Sequence, residues 1–162
     1  LPEIGEVDIL INNAGVQDSG RDIDVNLRGT IYCTEKYGIQ PNIKAIIMTA
    51  SVSAHNGAEF PEYCASKGGV LAYTKNVALR VAKYGATCNS ISAGGVITEL
   101  NAHILENKSL WDQVMAETLI PKWATVEEMA EWTYFLAVVN KSMTAQDVLI
   151  DNGEIAKANF VW

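Results

Sequence analysis

The fold is decided by residues 7–15, which read VDILINNAG: a short, mostly apolar run followed by two asparagines and an Ala-Gly pair. Runs of this length with hydrophobic residues on both faces are typical of buried strands in a parallel sheet. The run predicts a first strand at residues 7–11. Further strands are predicted at residues 45–49, 87–92 and 147–151.

Helical patterns separate these strands. One helix is predicted over residues 24–39, and a longer one over residues 61–83, with Gly85 placed to end it. Thr125 and Glu128 have the spacing of a capping box, which predicts a third helix to about residue 139. Because strands and helices alternate, the strands are joined by parallel crossovers and the fold class is α/β. A chain of 162 residues suits a single domain, residues 1–162.

Composition narrows the classes of partner. The formal net charge of −7 argues against a nucleic-acid backbone or an anionic membrane. No apolar run approaches the roughly 20 residues that span a bilayer. The three cysteines, Cys33, Cys64 and Cys88, are isolated, which predicts reduced thiols and a cytoplasmic protein. His55 and His103 belong to no metal or triad pattern, so we expect both to be solvated and predict no metal site.

Polar segments follow three of the predicted strands, at residues 12–15, 51–53 and 93–98. In parallel α/β sheets, ligands bind beyond the carboxyl ends of the strands. We therefore expect these three segments to converge on one ligand site.

Tyr63 and Lys67 are the most informative pair within that region. Residues four apart on a helix lie on one face, one turn from each other. A fixed cation favours the phenolate, so it lowers a tyrosine pKa from about 10 toward working pH. Such a tyrosine can exchange a proton with a substrate hydroxyl or carbonyl. The alternative is a chance pairing on an ordinary helix.

Five short motifs occur in order along the chain. They are NNAG at residues 12–15, DVNLRG at 24–29, TAS at 49–51, YCASK at 63–67 and SAGGVIT at 92–98. Together they resemble the motifs of the short-chain dehydrogenase/reductase family, and the match covers nearly all of the chain. The resemblance implies a Rossmann-like, doubly wound parallel sheet in three α/β/α layers, of which the carboxy-terminal two thirds are present.

The resemblance also implies an activity. It is the interconversion of a secondary alcohol and a ketone, with NAD or NADP as cofactor. Tyr63 would be the general acid/base, and Lys67 would hold down the tyrosine pKa and bind the nicotinamide ribose. Ser51 would donate to the substrate oxygen, and Asn26 would hold a water for proton relay. Ser53, two residues after Ser51 and on the same side if the strand continues, is an alternative to it.

The family motifs further imply cofactor contacts and an assembly. Besides the Tyr63–Lys67 pair, the expected cofactor-binding residues are Asn13, Ala14, Gly15, Gly94, Val96 and Thr98. The expected partners are a small-molecule alcohol or ketone and further copies of the chain, as a dimer or tetramer. Gly68 and Gly69 allow either close packing on the sheet or close approach of a partner helix.

Residues 99–122 resemble the family's substrate lid. Their apolar positions would form its inner face, and a surface helical pair without a substrate role is the alternative. Trp123 and the carboxy-terminal residues 159–162 are aromatic enough to predict burial, with a neighbouring subunit as one surface that could cover them.

The chain departs from the family in three places. It lacks the amino-terminal strand and the TGxxxGxG turn that holds the cofactor pyrophosphate, so we expect an exposed apolar strand edge and little activity from the chain alone. The short link from Gly15 to Asn26 predicts a missing segment near residues 16–21. Ala93 replaces the usual proline, which leaves the loop's φ unset. A non-catalytic binding or assembly module, or an inactive fragment, is the alternative function.

Overall fold

The computed structural model describes residues 4–58 and 60–157. Within these ranges four parallel strands form one sheet in the order β1-β2-β3-β4. The strands are β1 Ile9–Asn12, β2 Ala45–Thr49, β3 Thr87–Ala93 and β4 Asp147–Ile150. All three pairings are parallel. The predicted parallel α/β sheet is confirmed, with each strand within two residues of its expected position.

Helices fill the connections between the strands. Helix α1 covers residues 23–38 and is wound as a π-helix at Ile23–Gly29 and Thr34–Gly38, with an α-helical turn between them. The others are α2 Ser53–Asn56, α3 Pro61–Val81, α4 Ala102–Leu105, α5 Lys108–Met115 and α6 Val126–Tyr134, which continues as Phe135–Val139. None of the helices in the described ranges is long and apolar enough to cross a membrane.

The predicted helix boundaries have identifiable causes. Pro61 stands at the first turn of α3, where its missing N–H leaves no hydrogen bond unmade. Gly85 follows the last helical residues with a φ of 71°, a conformation that glycine adopts without strain. At α6, Glu128 N donates to Thr125 Oγ1 at 3.2 Å and Thr125 N donates to Glu128 Oε2 at 2.9 Å. The capping box is therefore formed by both of its bonds.

Two apolar layers enclose the sheet. Alternate residues of a strand face opposite sides. Ile46 and Met48 of β2 accordingly pack with residues of α3, whereas Ile47 packs with Leu136 and Ala137 beyond α6. The helices thus cover both faces, which confirms the three-layer, doubly wound arrangement.

The first strand is less buried than its sequence predicts. Leu10 packs against the α3-side core, but Ile9 and Ile11 are 38% and 48% exposed. The prediction of burial on both faces is wrong here because β1 is an edge strand of the described sheet, paired only with β2. The expected apolar strand edge is present.

The two remaining aromatic predictions differ in outcome. Trp123 is buried, with 6% of its surface exposed. The segment Asn159–Trp162 lies outside the described residues.

The paired glycines of α3 have different surroundings. A Cβ on Gly69 would lie 2.7 Å from Leu27 Cδ2, so this glycine allows α1 to pack closely against α3. A Cβ on Gly68 would have no heavy atom within 4 Å in this chain. Close packing therefore explains Gly69, but the packing is against helix α1 and not against the sheet. It does not explain Gly68.

These surroundings predict different effects of two alanine substitutions. Gly68→Ala should raise the free energy of unfolding by about 1 kcal/mol, because alanine has the higher helix propensity. Gly69→Ala should be the less stable of the two, because its methyl group displaces Leu27. Urea unfolding of both variants measures the difference. Equal stabilities would contradict the packing argument, and a loss of stability in Gly68→Ala would favour a partner helix at that position.

Candidate active site

The carboxyl ends of β1, β2 and β3 and the first turns of α3 surround one cavity of about 970 Å³. Seven of the residues expected from the sequence line it: Asn13, Ser51, Tyr63, Lys67, Gly94, Val96 and Thr98. Ala14, Gly15 and Asn26 do not line it. The expected convergence of the three polar segments is therefore found, because parallel strands end at a common edge.

Lys67 is buried beneath this cavity, with 4% of its surface exposed. Its Nζ donates to the Thr49 carbonyl oxygen at the end of β2, over 2.8 Å. Burial lowers its pKa to about 8, and the negative charge of Asp22 opposes that shift. The site thus holds a lysine that can exchange its proton near neutral pH.

Tyr63 lies one helical turn before this lysine. Lys67 Nζ is 5.6 Å from the centre of the Tyr63 ring, within the range of a cation–π interaction. The Tyr63 carbonyl accepts a hydrogen bond from Ser66 Oγ at 2.7 Å. The helical spacing therefore places phenol and ammonium side by side, as the sequence predicts.

The two candidate serines lie together in the cavity wall. Ser51 Oγ and Ser53 Oγ are 3.3 Å apart, and Ser53 N donates to Ser51 Oγ at 3.2 Å. Both serines are buried. The assumption of a continuing strand is wrong, because β2 ends at Thr49 and α2 begins at Ser53. The two hydroxyls lie together at the start of α2 instead, and Ser51 stays the predicted catalytic residue.

Asn26 joins three elements behind the cavity. Its Oδ1 accepts from Val16 N at 2.8 Å, and its Nδ2 donates to Val16 O at 2.9 Å and to Ser66 Oγ at 3.0 Å. A Cβ on Gly15 would lie 3.2 Å from Asn26 Oδ1 and 3.5 Å from Lys67 Nζ. Asn26 therefore holds the loop after β1 against α3, and Gly15 passes between the amide and the ammonium.

The short link before Asn26 closes as a hydrogen-bonded turn. Asp22 accepts from Asp18 N at 3.0 Å, Ser19 N at 2.9 Å and Ser19 Oγ at 3.0 Å. Burial raises the Asp22 pKa, but these bonds outweigh it and the pKa lies below its usual value. Ten residues thus suffice to reach Asn26 from Gly15, and a missing segment near residues 16–21 stays a prediction.

The glycines after β3 are required by packing. A Cβ on Gly95 would lie 2.0 Å from the Trp123 Nε1, and one on Gly94 would lie 2.9 Å from Asp151 Cα. Val52 N donates to Ala93 O at 3.0 Å, and Gly94 N donates to Ile150 O at 3.0 Å. The loop is therefore anchored on both sides although Ala93 replaces a proline.

His55 is the polar residue whose role the sequence misses. Its Nε2 lies 2.8 Å from Asp147 Oδ2 and 3.1 Å from Ser92 Oγ, and Ser90 Oγ donates to Asp147 Oδ1 at 2.6 Å. The exposure of His55 agrees with the expectation of a solvated histidine. Its contacts also tie α2, which begins at Ser53, to β3 and β4. Across the described ranges, no three metal-ligating side chains cluster.

The burial of Lys67 predicts a pH-dependent stability. Below about pH 8 both the folded and the unfolded lysine are charged, so the folded state carries the full cost of burial, about 3 kcal/mol. Between pH 8 and 10.5 only the unfolded lysine is charged, so folding becomes more favourable. As the pH rises from 7 to 10, the free energy of unfolding of the wild type should therefore increase by up to about 3 kcal/mol relative to that of Lys67→Met.

Urea unfolding at each pH measures this gain. Lys75→Met, which removes an exposed lysine from the same helix, serves as the control. Its free energy of unfolding should change with pH as that of the wild type does. A difference in the free energy of unfolding between the wild type and Lys67→Met that does not change with pH would contradict the lowered pKa.

Known proteins resemble the chain over nearly its whole length. A family model described as enoyl-(acyl carrier protein) reductase matches residues 2–154. The chain is 28% identical over 169 residues to 3-oxoacyl-(acyl-carrier-protein) reductase FabG of Staphylococcus epidermidis, covering 94% of this chain and 68% of that protein. It is 27% identical over 166 residues to an L-rhamnose 1-dehydrogenase (NAD(P)(+)) of Sphingomonas sp., covering 92% and 65%.

A solved structure shows the same fold. The gluconate 5-dehydrogenase of Burkholderia cenocepacia, in complex with NADP and tartrate, matches with a TM-score of 0.85 at 27% identity, covering 97% of this chain and 68% of that chain. The chain thus spans about two thirds of the length of these relatives. These relatives are named as a reductase and as dehydrogenases, two of them with NAD(P) or NADP, which confirms the expected oxidoreductase class and the nicotinamide cofactor. The chain belongs to the short-chain dehydrogenase/reductase family.

Proposed function

We propose that this chain is the catalytic part of an oxidoreductase that interconverts a secondary alcohol and a ketone with NAD or NADP. The observation that carries the proposal is the pairing of Tyr63 with the buried Lys67 ammonium in the wall of a large cavity. Relatives named as NAD(P)-dependent dehydrogenases support it.

The residues around Lys67 fit a nicotinamide ribose. An ammonium group has three donors, and the bond to Thr49 uses one of them. Gly15 leaves the space beside Nζ open, which a side chain would fill. Thr98 and the loop of Gly94 and Val96 line the same cavity and are proposed to bind the nicotinamide, whereas Asn13 is proposed to bind toward the adenosine side. Ala14 and Gly15 are proposed to contact the cofactor through their backbone.

When bound, the nicotinamide supplies or accepts the hydride. The chain's own groups manage the proton. Tyr63 donates its phenolic proton to the substrate oxygen during reduction and removes the hydroxyl proton during oxidation. Ser51 donates a hydrogen bond to the same oxygen, where negative charge grows.

Lys67 replenishes the tyrosine's proton in this proposal. Its pKa of about 8 lets the ammonium give up and regain a proton near neutral pH. Asn26 keeps Val16 and Gly15 in place beside Nζ through its amide, and we retain for it the role of holding a relay water. Assembly into a dimer or tetramer and a cytoplasmic location remain parts of the proposal.

Replacement of the tyrosine tests the proposal. The chain alone is expected to have low activity, and Tyr63→Phe should lower its turnover of ketones with NADH or NADPH by a further factor of roughly 100 to 10,000, because the proton donor is lost. Cofactor affinity should persist, because the ring remains beside Lys67. Tyr84→Phe, a tyrosine outside the cavity lining, is the matched control and should keep full turnover.

The same experiment separates the alternatives. Unchanged turnover in Tyr63→Phe would overturn the catalytic role. A wild-type chain that binds neither cofactor nor ketone, yet retains a protein partner, would favour the non-catalytic binding or assembly module.

A further inference from the structure

We infer that His55 is a positioning residue for the proposed reaction: through α2 it holds the Ser51 hydroxyl where that group can donate to the substrate oxygen. This role rests on the proposed function, because Ser51 is one of the groups that act there. Three sets of contacts support it: those of His55 with the sheet, those within the turn of α2, and those between α2 and Ser51.

The sheet presents a group of polar side chains next to α2. Ser90 and Ser92 are alternate residues of β3, so they face the same side of the sheet as Cys88, which packs in the core on the α3 side. Asp147 of β4 is the register partner of Ser90, and its Oδ1 accepts from Ser90 Oγ at 2.6 Å. Both serines are buried. Because polar groups are costly to bury without hydrogen bonds, this part of the sheet favours a polar neighbour.

His55 supplies this polar neighbour. Its Nε2 lies 2.8 Å from Asp147 Oδ2 and 3.1 Å from Ser92 Oγ. A carboxylate only accepts hydrogen bonds, so the contact with Asp147 requires the hydrogen of the imidazole to be on Nε2. The His55 side chain is 30% exposed, so its removal should loosen α2 without unfolding the chain.

Helix α2 is a single turn with few contacts of its own. His55 N donates to Val52 O at 2.8 Å, and Ala54 N donates to Ser51 O at 3.0 Å. Val52 N donates to Ala93 O at 3.0 Å, which ties the beginning of the turn to the end of β3. A helix of one turn is unstable by itself in water. Its far end therefore depends on a tertiary contact, and the His55 side chain makes one.

The position of α2 sets the position of the Ser51 hydroxyl. Ser53 N, in the first residue of α2, donates to Ser51 Oγ at 3.2 Å, and Ser51 Oγ donates to Ser53 Oγ at 3.3 Å. When α2 moves, both partners of the Ser51 hydroxyl move with it. A displacement of about 1 Å between reacting groups can lower a rate by roughly 100-fold, so a small shift of this serine should reduce turnover.

Hydrogen exchange tests the positioning on the chain as it exists and without turnover. His55→Ala should speed exchange of the Ser53 amide by roughly fivefold or more, because α2 opens more often. The amide of Val77, in the buried part of α3, should exchange at the wild-type rate. Unchanged exchange at Ser53 would overturn the inference, and so would an equal acceleration at Val77, which would indicate a general loss of stability.

Turnover tests whether the histidine acts through the serine. His55→Ala should lower kcat for ketone reduction by roughly 5- to 20-fold and leave the KM for the cofactor unchanged. His55→Gln keeps an N–H near the position of Nε2 and should retain most of the wild-type kcat. In a Ser51→Ala background, His55→Ala should have little further effect, because the group that it positions is gone.

Arg28→Ala is the matched control, since it removes an exposed ion pair outside the cavity lining. It should leave both the exchange of the Ser53 amide and the turnover unchanged. An equal loss of kcat from His55→Ala in the wild-type and Ser51→Ala backgrounds would overturn the inference, because the effect would not pass through the serine.

These outcomes are separate from those of the catalytic proposal. Faster exchange at Ser53 together with unchanged turnover in Tyr63→Phe would support the positioning by His55 and count against the proposed reaction. Turnover that depends on Tyr63 but is unaffected by His55→Ala would do the opposite.

Discussion

The buried ammonium of Lys67 is the constraint on which the site depends. Its bond to the Thr49 carbonyl, 2.8 Å long, ties α3 to the end of β2. A buried charge is stable only where polar groups hydrogen-bond to it, so this bond, together with the apolar core, fixes α3 on the sheet. Tyr63, one turn earlier on the helix, is thereby placed in the cavity wall.

Local patterns made much of the fold and site predictable. Tyr63 and Lys67 meet because four residues nearly complete a helical turn, which is a property of the sequence alone. The capping box of Thr125 and the left-handed conformation of Gly85, which ends a helix, likewise depend only on residues close in the sequence. The strand ends converge because parallel strands finish at one edge, so the position of Ser51 followed from the order of elements.

Contacts between distant residues were not predictable in the same way. His55 and Asp147 are 92 positions apart, and no sequence pattern around either residue predicts their contact. Burial of β1 was misjudged because its apolar side chains suit a central strand, whereas in the described sheet it pairs on one side. Gly95 lies in the segment that resembles the family's cofactor loop, and the structure shows that packing against the Trp123 ring requires a glycine there. Such facts depend on the tertiary neighbours of a residue.

The pKa of Lys67 is the most direct test that its ammonium is buried and joins α3 to the end of β2. Selective ¹³C labelling of lysine, with assignment by Lys67→Met, allows the Cε resonance to be followed by NMR from pH 6 to 11. A midpoint near pH 8 is expected, since burial lowers this pKa from 10.5. A midpoint near 10.5 would mean that the ammonium is solvated in solution, and the buried tie between α3 and β2 would then be wrong.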